Sequence, residues 1–196
     1  MLCENSRVRI KGSAAVGTVV EFEPGSDTCM VELDSSWGEH GAYDPFEVGL
    51  SEIDELVEAV GPERRELCEQ FDFINLYASV SLCIGRYYHL TAEKTDNGYR
   101  VFVANCSKQE GAPVLLEGED AARFRSEVHK MGADRWIEPF YSKDWIIKDG
   151  YGWDMEVFAG NRYFTCSGSN VTPPELLDFV DYVASLGLLR IDVFDE

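Results

Sequence analysis

The feature that most constrains the fold is an unbroken alternation of apolar residues that begins near position 73. Six apolar side chains occupy every second position of this stretch: Ile74, Leu76, Ala78, Val80, Leu82 and Ile84. Strict alternation is typical of a β-strand that buries one of its faces. Further along, apolar segments flank Asp96-Asn97-Gly98, and two more flank Gly160-Asn161. Short turns of this composition between alternating segments predict β-hairpins.

Two helical patterns interrupt these strands. Apolar residues at helical spacing predict an amphipathic helix that ends near Gly132: Ala121, Phe124, Val128 and Met131. A second helix is predicted from Pro173 to about Leu186. The resulting order of three strands, helix, two strands, helix predicts an α+β domain over residues 73–196. We expect an antiparallel sheet with two helices on one face.

The N-terminal part, positions 1–60, predicts a small acidic β-barrel domain. The segments RVRI, GTVVEFE and CMVELD are rich in β-branched residues and are separated by Gly and Pro turns. Ser51 and Asp54 predict the start of a helix that continues to Val60. Residues 61–72 follow as a charged helical connector. Together, VGTVVE and MVELD resemble the SH3-like barrels of the KOW type over residues 6–56. Relatives of that type often bind nucleic acid through basic surfaces.

Charge is the strongest constraint on function. The chain of 196 residues has a formal net charge of −19, from 36 acidic and 17 basic residues. Residues 12–63 contain 13 acidic side chains and neither Lys nor Arg. Because such a surface repels phosphate, we expect no ordinary binding of DNA or RNA and predict a basic protein partner. Two alternatives stay open: a mimic of nucleic acid and an enzyme with a site that the sequence does not reveal.

Cysteine and histidine usage indicates free thiols and no metal centre. The six cysteines form no C-x-x-C pair, and the three histidines show no zinc spacing with them. The chain shows neither a secretory leader nor a membrane span, so we expect a cytoplasmic protein with no cofactor and no membrane partner. One dyad stays open, because His89 is predicted on a strand beside that of Cys83 or Cys166.

The stretch TCSGSNVTPPELLDFV combines small polar residues with a helix start, as phosphate-binding loops do. Thr172 and Glu175 predict a capping box, with Pro173 and Pro174 as the first helical residues. Two prolines remove amide donors that a phosphate would need. We therefore predict a structural corner between strand and helix.

Motifs of the C-terminal part resemble a widespread group of bacterial proteins. The residues that carry this resemblance are SLCIGRYYHLTAEK, KDGYGWDMEV and SGSNVTPPELLDFV, together with Trp136, Tyr141 and Trp145. Members have a D-G-x-x-W strand and an S-G-S-N-x-x-P corner before a C-terminal helix. The resemblance covers residues 73–188 and implies a domain fold without assigning an activity.

Two regions supply candidate partner-binding residues, and no catalytic residue is predicted. The acidic loop DSSWGEHGAYD provides Trp37, Glu39 and Asp44, and an aromatic-rich segment provides Tyr141 and Trp145. Large aromatic side chains often dominate binding at protein interfaces. The alternative for the aromatic-rich segment, which also contains Trp136 and Trp153, is that its rings pack over the sheet.

Overall fold

The computed structural model describes residues 2–11, 15–33, 45–80, 87–105, 112–141 and 150–188. Trp37, Glu39, Asp44 and Trp145 therefore lie outside the described residues. The chain divides into two compact units, Met1–Glu58 and Ala59–Glu196. They are called unit 1 and unit 2 below, and each is described by itself.

Unit 1 is a sheet of short antiparallel strands. The strands are β1 (Arg7–Ile10), β2 (Val16–Glu21), β3 (Thr28–Leu33), β4 (Phe46–Gly49) and β5 (Ile53–Glu55), and they pair in the order β4-β3-β2-β1-β5. A two-residue strand, β6 (Val57–Glu58), follows. Among the described residues no pairing joins β4 to β5, so the sheet is not a closed barrel. The expected SH3-like barrel is thus not confirmed.

The helix predicted from Ser51 to Val60 is wrong. Only a single 3-10 turn, Leu50–Glu52, is helical, and the Glu52 carboxylate closes it by accepting from the Gly49 amide at 3.0 Å. The next residues form β5, in which Ile53 pairs with Ile10 of β1. Strand pairing with β1 buries Ile53 and overrides a helical spacing that local sequence alone favours.

The core of unit 1 is small and contains no fully buried aromatic ring among the described residues. Its buried members are Val8, Val19, Cys29, Val31, Val48 and Ile53. Half-buried side chains, including Leu2 and Phe22, pack against this cluster. Every second strand residue points inward, which leaves the other face of the sheet to polar and charged side chains.

Unit 2 is an α+β domain with a mixed, mainly antiparallel sheet, which confirms the predicted class. Its elements are α1 (Pro62–Gln70), β7 (Phe73–Val80), β8 (Tyr87–Lys94), β9 (Gly98–Asn105), β10 (Val114–Glu117), α2 (Gly118–Met131), a 3-10 turn (Ala133–Arg135), β11 (Phe140–Tyr141), β12 (Tyr151–Ala159), β13 (Arg162–Ser169) and α3 (Pro174–Ser185). The strands follow the order β10-β9-β8-β7-β12-β13-β11. Only β11 runs parallel to its described neighbour, β13. The hairpins β8–β9 and β12–β13 confirm both predicted turns.

The two faces of this sheet differ in chemistry. The buried residues of α1, α2 and α3 share one core with alternate strand residues such as Leu76, Leu90 and Met155. Helix α1 adds Leu67 and Cys68 to this core. The other face of the sheet carries polar side chains, which the next section describes, together with the buried rings of Phe73 and Phe158 at one end of β7 and β12. In the described ranges no helix is both long and apolar enough to cross a bilayer.

Candidate functional site

Of the five candidate partner-binding residues, Tyr141 is the one that the structure describes. It ends the short strand β11 and is 67% exposed. Its neighbour Phe140 is half-buried and packs against the core of unit 2. The Tyr141 ring is therefore exposed to solvent, whereas the ring of the preceding residue, Phe140, packs against the core.

The neighbouring aromatic residues are structural. The ring of Trp136 lies 5.8 Å from that of Phe140 and 5.9 Å from that of Trp153, between ring centroids. Phe140 and Trp153 are 6.0 Å apart. Trp153 is 1% exposed and Trp136 is 8% exposed. This cluster fills the core rather than forming a binding platform, as the packing alternative predicted.

The S-G-S-N corner and the D-G-x-x-W strand fit directly against each other. The Trp153 indole Nε1–H donates to the Val171 carbonyl at 2.8 Å. A Cβ at Gly168 would lie 2.6 Å from Cε2 of that indole, so only glycine leaves room for it. The D-G-x-x-W strand thus supplies the indole ring. The S-G-S-N corner supplies the space at Gly168 and the carbonyl acceptor of Val171.

Asn170 makes the second contact between these motifs. It adopts a left-handed backbone conformation, with φ of 57°. The side-chain Oδ1 of Asn170 accepts a hydrogen bond from the main-chain N–H of Tyr151 at 2.9 Å. The main-chain N–H of Asn170 donates to the Tyr151 carbonyl, also at 2.9 Å. A Cβ at Gly150 would lie 2.7 Å from Asn170 Nδ2. The corner is thus fixed by internal hydrogen bonds, in agreement with the predicted structural role.

The predicted capping box is wrong. Helix α3 begins at Pro174, its N-cap residue is Pro173, and no side chain caps it. The Thr172 hydroxyl is instead 2.7 Å from the Tyr151 hydroxyl. The Thr172 hydroxyl therefore contacts β12, and Pro174, which has no amide donor to be capped, is the first helical residue.

A polar network crosses three strands on the face of the sheet opposite the helices. Asn75 Nδ2 donates to Glu156 Oε2 at 3.2 Å, and Asn75 Oδ1 lies 2.6 Å from His89 Nε2. Since an amide oxygen only accepts, His89 Nε2 carries the proton in this contact. His89 is 7% exposed, and its burial lowers the imidazole pKa to about 4. The imidazole is therefore neutral near pH 7.

Two further residues extend this polar face. Tyr77 lies beside His89, with ring centroids 6.2 Å apart, and pairs in register with Asp154 of β12. Desolvation raises the pKa of the Asp154 carboxyl, although the residue as a whole is exposed. Sequence reasoning missed this network. The sequence does contain polar residues between the apolar ones of each strand. Which of these polar residues contact each other can be predicted only when the strand register is known.

The burial of His89 lowers its pKa below the range of a general base at neutral pH. A general base needs a pKa near the working pH and usually a carboxylate partner that orients it. In this protein an amide stands between His89 and Glu156, and the pKa of His89 is about 4.

The Cys166–His89 dyad is ruled out by strand register. Cys166 pairs with Met155, which pairs with Leu76, which pairs with Leu90. These four side chains point into the core, so His89, next to Leu90, points to the opposite face. Burial also raises the pKa of the Cys166 thiol to about 12. Cys83 and Cys106 lie outside the described residues.

Arg64 of α1 is a buried cation with a structural role. It is 7% exposed, and its Nη2 donates to the Trp136 carbonyl at 2.9 Å and to the Thr165 carbonyl at 3.3 Å. Its guanidinium carbon lies 4.4 Å from the centre of the Phe164 ring. The guanidinium therefore ties α1 to the segment after α2 and to β13.

The outer face of the unit 1 sheet carries a row of acidic residues. Glu21 of β2 pairs in register with Met30 of β3, which pairs with Glu47 of β4. Both glutamates are exposed, and Thr28 Oγ1 donates to Glu47 at 2.9 Å. We call Glu21, Met30, Glu32 and Glu47 the acidic face. No cation pairs with these carboxylates in the contacts that the structure describes.

Two of the three cations of unit 1 lie at the β5 edge of the same sheet. Arg9 and Lys11 both approach Asp54, at 3.9 and 3.8 Å. Arg7 donates to Thr18 at 3.3 Å. Arg9 and Lys11 thus lie beside β5, whereas Arg7 reaches Thr18 of β2, the register partner of Glu32.

Neither metal-ligand geometry nor a known relative assigns a function. The described residues hold no cluster of three or more His, Cys, Asp or Glu side chains that could bind a metal ion. Comparisons of the chain with protein-family models, with curated proteins and with solved structures found no match. A functional proposal therefore depends on the surface chemistry of the described residues.

Proposed function

We propose that this protein is a non-catalytic binding protein whose acidic surface engages a basic protein, as inhibitors and immunity proteins engage cationic targets. The acidic face of unit 1 is the observation that carries the proposal. Exposed carboxylates such as Glu21 and Glu47, which form no ion pair among the described residues, raise the association rate with a basic partner and repel acidic ones. Met30, half-buried in the middle of this face, adds an adaptable apolar contact.

Carboxylate spacing favours a protein partner over mimicry of nucleic acid. Glu21 and Glu47 lie on strands separated by one strand, which corresponds to roughly 10 Å from strand spacing. Duplex DNA carries one charge per about 1.7 Å of its axis. The carboxylates of the acidic face form one short patch on three strands, whereas a mimic would need long rows of regularly spaced charges.

The relationships to other proteins form a second part of the proposal. Unit 2 is proposed to belong to the bacterial group with D-G-x-x-W and S-G-S-N-x-x-P motifs, and in this chain the two motifs meet through the contacts of Trp153 with Gly168 and Val171. An SH3-like origin of unit 1 is supported by its five-strand antiparallel order.

Affinity capture from the native host with matched charge variants tests the proposed function. One variant replaces Glu21, Glu32 and Glu47 by Gln, and the control replaces the exposed Glu66, Glu175 and Asp178 of unit 2 by Gln, Gln and Asn. Both variants lose three negative charges. We expect the wild-type protein and the control to retain a basic protein that is eluted by salt. The unit 1 variant should not retain it.

The proposal is overturned if the unit 1 variant and the control retain the same proteins in equal amounts. It is also overturned if the wild-type protein shifts a duplex DNA probe at micromolar concentration and moderate salt. Binding of DNA would show that the net negative charge does not determine the partner.

A further inference from the structure

An open groove lies at the N-terminal end of unit 1. Its volume is about 770 Å³, and it is lined by Leu2, Cys3, Glu4, Asn5, Phe22, Pro24 and Gly25. Volumes of this order are typical of sites that accept a ligand or a large side chain. We call this feature the N-terminal groove.

Both walls of the groove are held by main-chain hydrogen bonds. On one side the Asn5 amide donates to the Val19 carbonyl at 2.8 Å, and Asn5 has a positive φ of 69°. The Cys3 amide donates to Ser6 Oγ at 3.1 Å. On the other side the Ser26 amide donates to the Glu23 carbonyl at 3.0 Å and closes a turn. A groove with fixed walls loses little conformational entropy when it binds.

The floor of the groove is apolar. We call Glu4, which lines the groove, and Glu23, which lies between the lining residues Phe22 and Pro24 in the sequence, its acidic rim. Leu2 and Phe22 pack against the unit 1 core but remain partly exposed. Glu4 lines the groove, and Glu23 is exposed beside Phe22. Glu21, on the other side of Phe22, belongs to the acidic face.

This combination determines the chemistry of the occupant. An apolar floor accepts an aliphatic or aromatic side chain, whereas an acidic rim accepts the Lys or Arg residues next to it. Arg9 and Lys11 are engaged with Asp54 and leave the rim negative. An acidic or purely polar segment would gain neither contact.

We propose that the N-terminal groove binds an apolar side chain of a partner protein that Lys or Arg residues flank on both sides. This inference rests on the proposed function, because it supplies the docking site for the same basic partner. It adds that recognition requires an apolar anchor and not charge alone.

Synthetic peptides separate these two requirements. The first probe is a nonapeptide with a central phenylalanine flanked by lysines and arginines. The second replaces that phenylalanine by alanine, and the third keeps it but has glutamates as flanking residues. Because burial of a phenylalanine side chain contributes about 1.5–3 kcal/mol, we expect the alanine peptide to bind at least about tenfold more weakly. The glutamate peptide should not bind.

Two changes to the protein locate the peptide. Glu4→Lys with Glu23→Lys reverses the rim, and Glu32→Lys with Glu47→Lys reverses the same charge outside the groove. We expect the first pair to weaken binding of the phenylalanine peptide at least about fivefold more than the second, because short-range ion pairs dominate over screened ones. Alkylation of the exposed Cys3 with N-ethylmaleimide should block binding of the peptide in the groove. The Cys3→Ser variant, treated with the same reagent, shows whether alkylation of the other cysteines affects binding.

Each outcome decides between the two proposals. Equal affinity for the phenylalanine and alanine peptides would overturn the proposal that the groove binds an apolar side chain. The proposed function, binding through charge, would still stand. Equal weakening by both charge-reversal pairs, or full binding after Cys3 alkylation, also overturns the groove. If no peptide binds, the groove is rejected. The proposed function is decided separately, by capture with the Glu21, Glu32 and Glu47 variant.

Discussion

The two units distribute buried surface and charge in opposite ways. Thirty described residues form the core of unit 2, including Trp136, Trp153 and several phenylalanines, whereas six form the core of unit 1. Unit 1 has 13 acidic and 3 basic side chains, which give it a net charge of −10. Unit 2 has 23 acidic and 14 basic side chains and a net charge of −9, although it is more than twice as long.

This difference separates stability from recognition. A large core with interlocked aromatic rings gives unit 2 most of the buried apolar area that opposes unfolding. The dense charge of unit 1 adds little to stability and gives its surface a strong field. We therefore expect substitutions in unit 2 to change the free energy of unfolding, and substitutions on unit 1 to change binding.

The largest expected effect is that of Trp153→Ala. Removal of a fully buried indole should lower the free energy of unfolding by about 3–5 kcal/mol, measured by urea denaturation. Val60→Ala is the control, because Val60 belongs to unit 2 but is 66% exposed, and it should change the value by less than about 0.5 kcal/mol. Similar effects of the two substitutions would contradict a core held by the aromatic cluster.

His89 should make unit 2 sensitive to acid. Burial lowers its pKa to about 4, whereas an unfolded histidine has a pKa of about 6.5. Above pH 6.5 both states are neutral at this residue. As the pH falls from 6.5 to 4, the unfolded state binds a proton that the folded state does not, so stability is lost. At about 1.4 kcal/mol per pKa unit the loss is on the order of 2–4 kcal/mol.

Denaturation curves at pH 7 and pH 4 for wild type and His89→Gln test this expectation. Glutamine keeps a donor for Asn75 and does not titrate, so His89→Gln should lose less stability than wild type on acidification. An equal loss in both proteins would assign the acid sensitivity to carboxylates instead.

Substitutions of Asn170 separate the stability contribution of its left-handed backbone conformation from that of its side-chain hydrogen bond. Asn170→Gly tolerates the positive φ but loses the bond to the Tyr151 amide, so we expect a loss of about 1 kcal/mol. Asn170→Ala loses both and should cost roughly 2 kcal/mol. Asn170→Asp keeps both features and should stay near wild type. Thermal unfolding of the three variants gives the ranking, and a reversed order of Gly and Ala would show that φ is not the constraint.

The smallest effect on stability is expected on the acidic face. Glu21→Lys with Glu47→Lys should change the free energy of unfolding by no more than about 0.5 kcal/mol, since both side chains are exposed. The same variant should reduce capture of the basic partner, which denaturation and affinity capture together would show. A large loss of stability would mean that this face is structural and would remove the contrast between the units.

The sequence predicted unit 2 better than unit 1 for a physical reason. Long alternating strands and the turns at Asn97-Gly98 and Gly160-Asn161 specify hairpins locally, and the structure has them. The segment after Ser51 has a helical spacing, but its conformation is decided by pairing with β1, at the start of the chain. The capping role predicted for Thr172 fails for the same reason, because its partner Tyr151 is distant in sequence.

The candidate sites show the same division. Composition indicated the acidity of unit 1 but not which carboxylates share a face, since that depends on the register of Glu21, Met30 and Glu47. The groove depends on the approach of residues 2–5 to residues 22–25, which no local pattern predicts. The Glu156–Asn75–His89 network likewise depends on three strands meeting in one register.

The contact between Gly168 and Trp153 couples two positions that belong to different motifs of the sequence. A side chain at position 168 and an indole at position 153 cannot coexist, so either change alone is deleterious. In related chains we expect the two positions to be substituted together, with a smaller residue at 153 wherever 168 is not glycine. A search for relatives that scores the two positions as a pair would therefore detect more distant members than one that scores each alone.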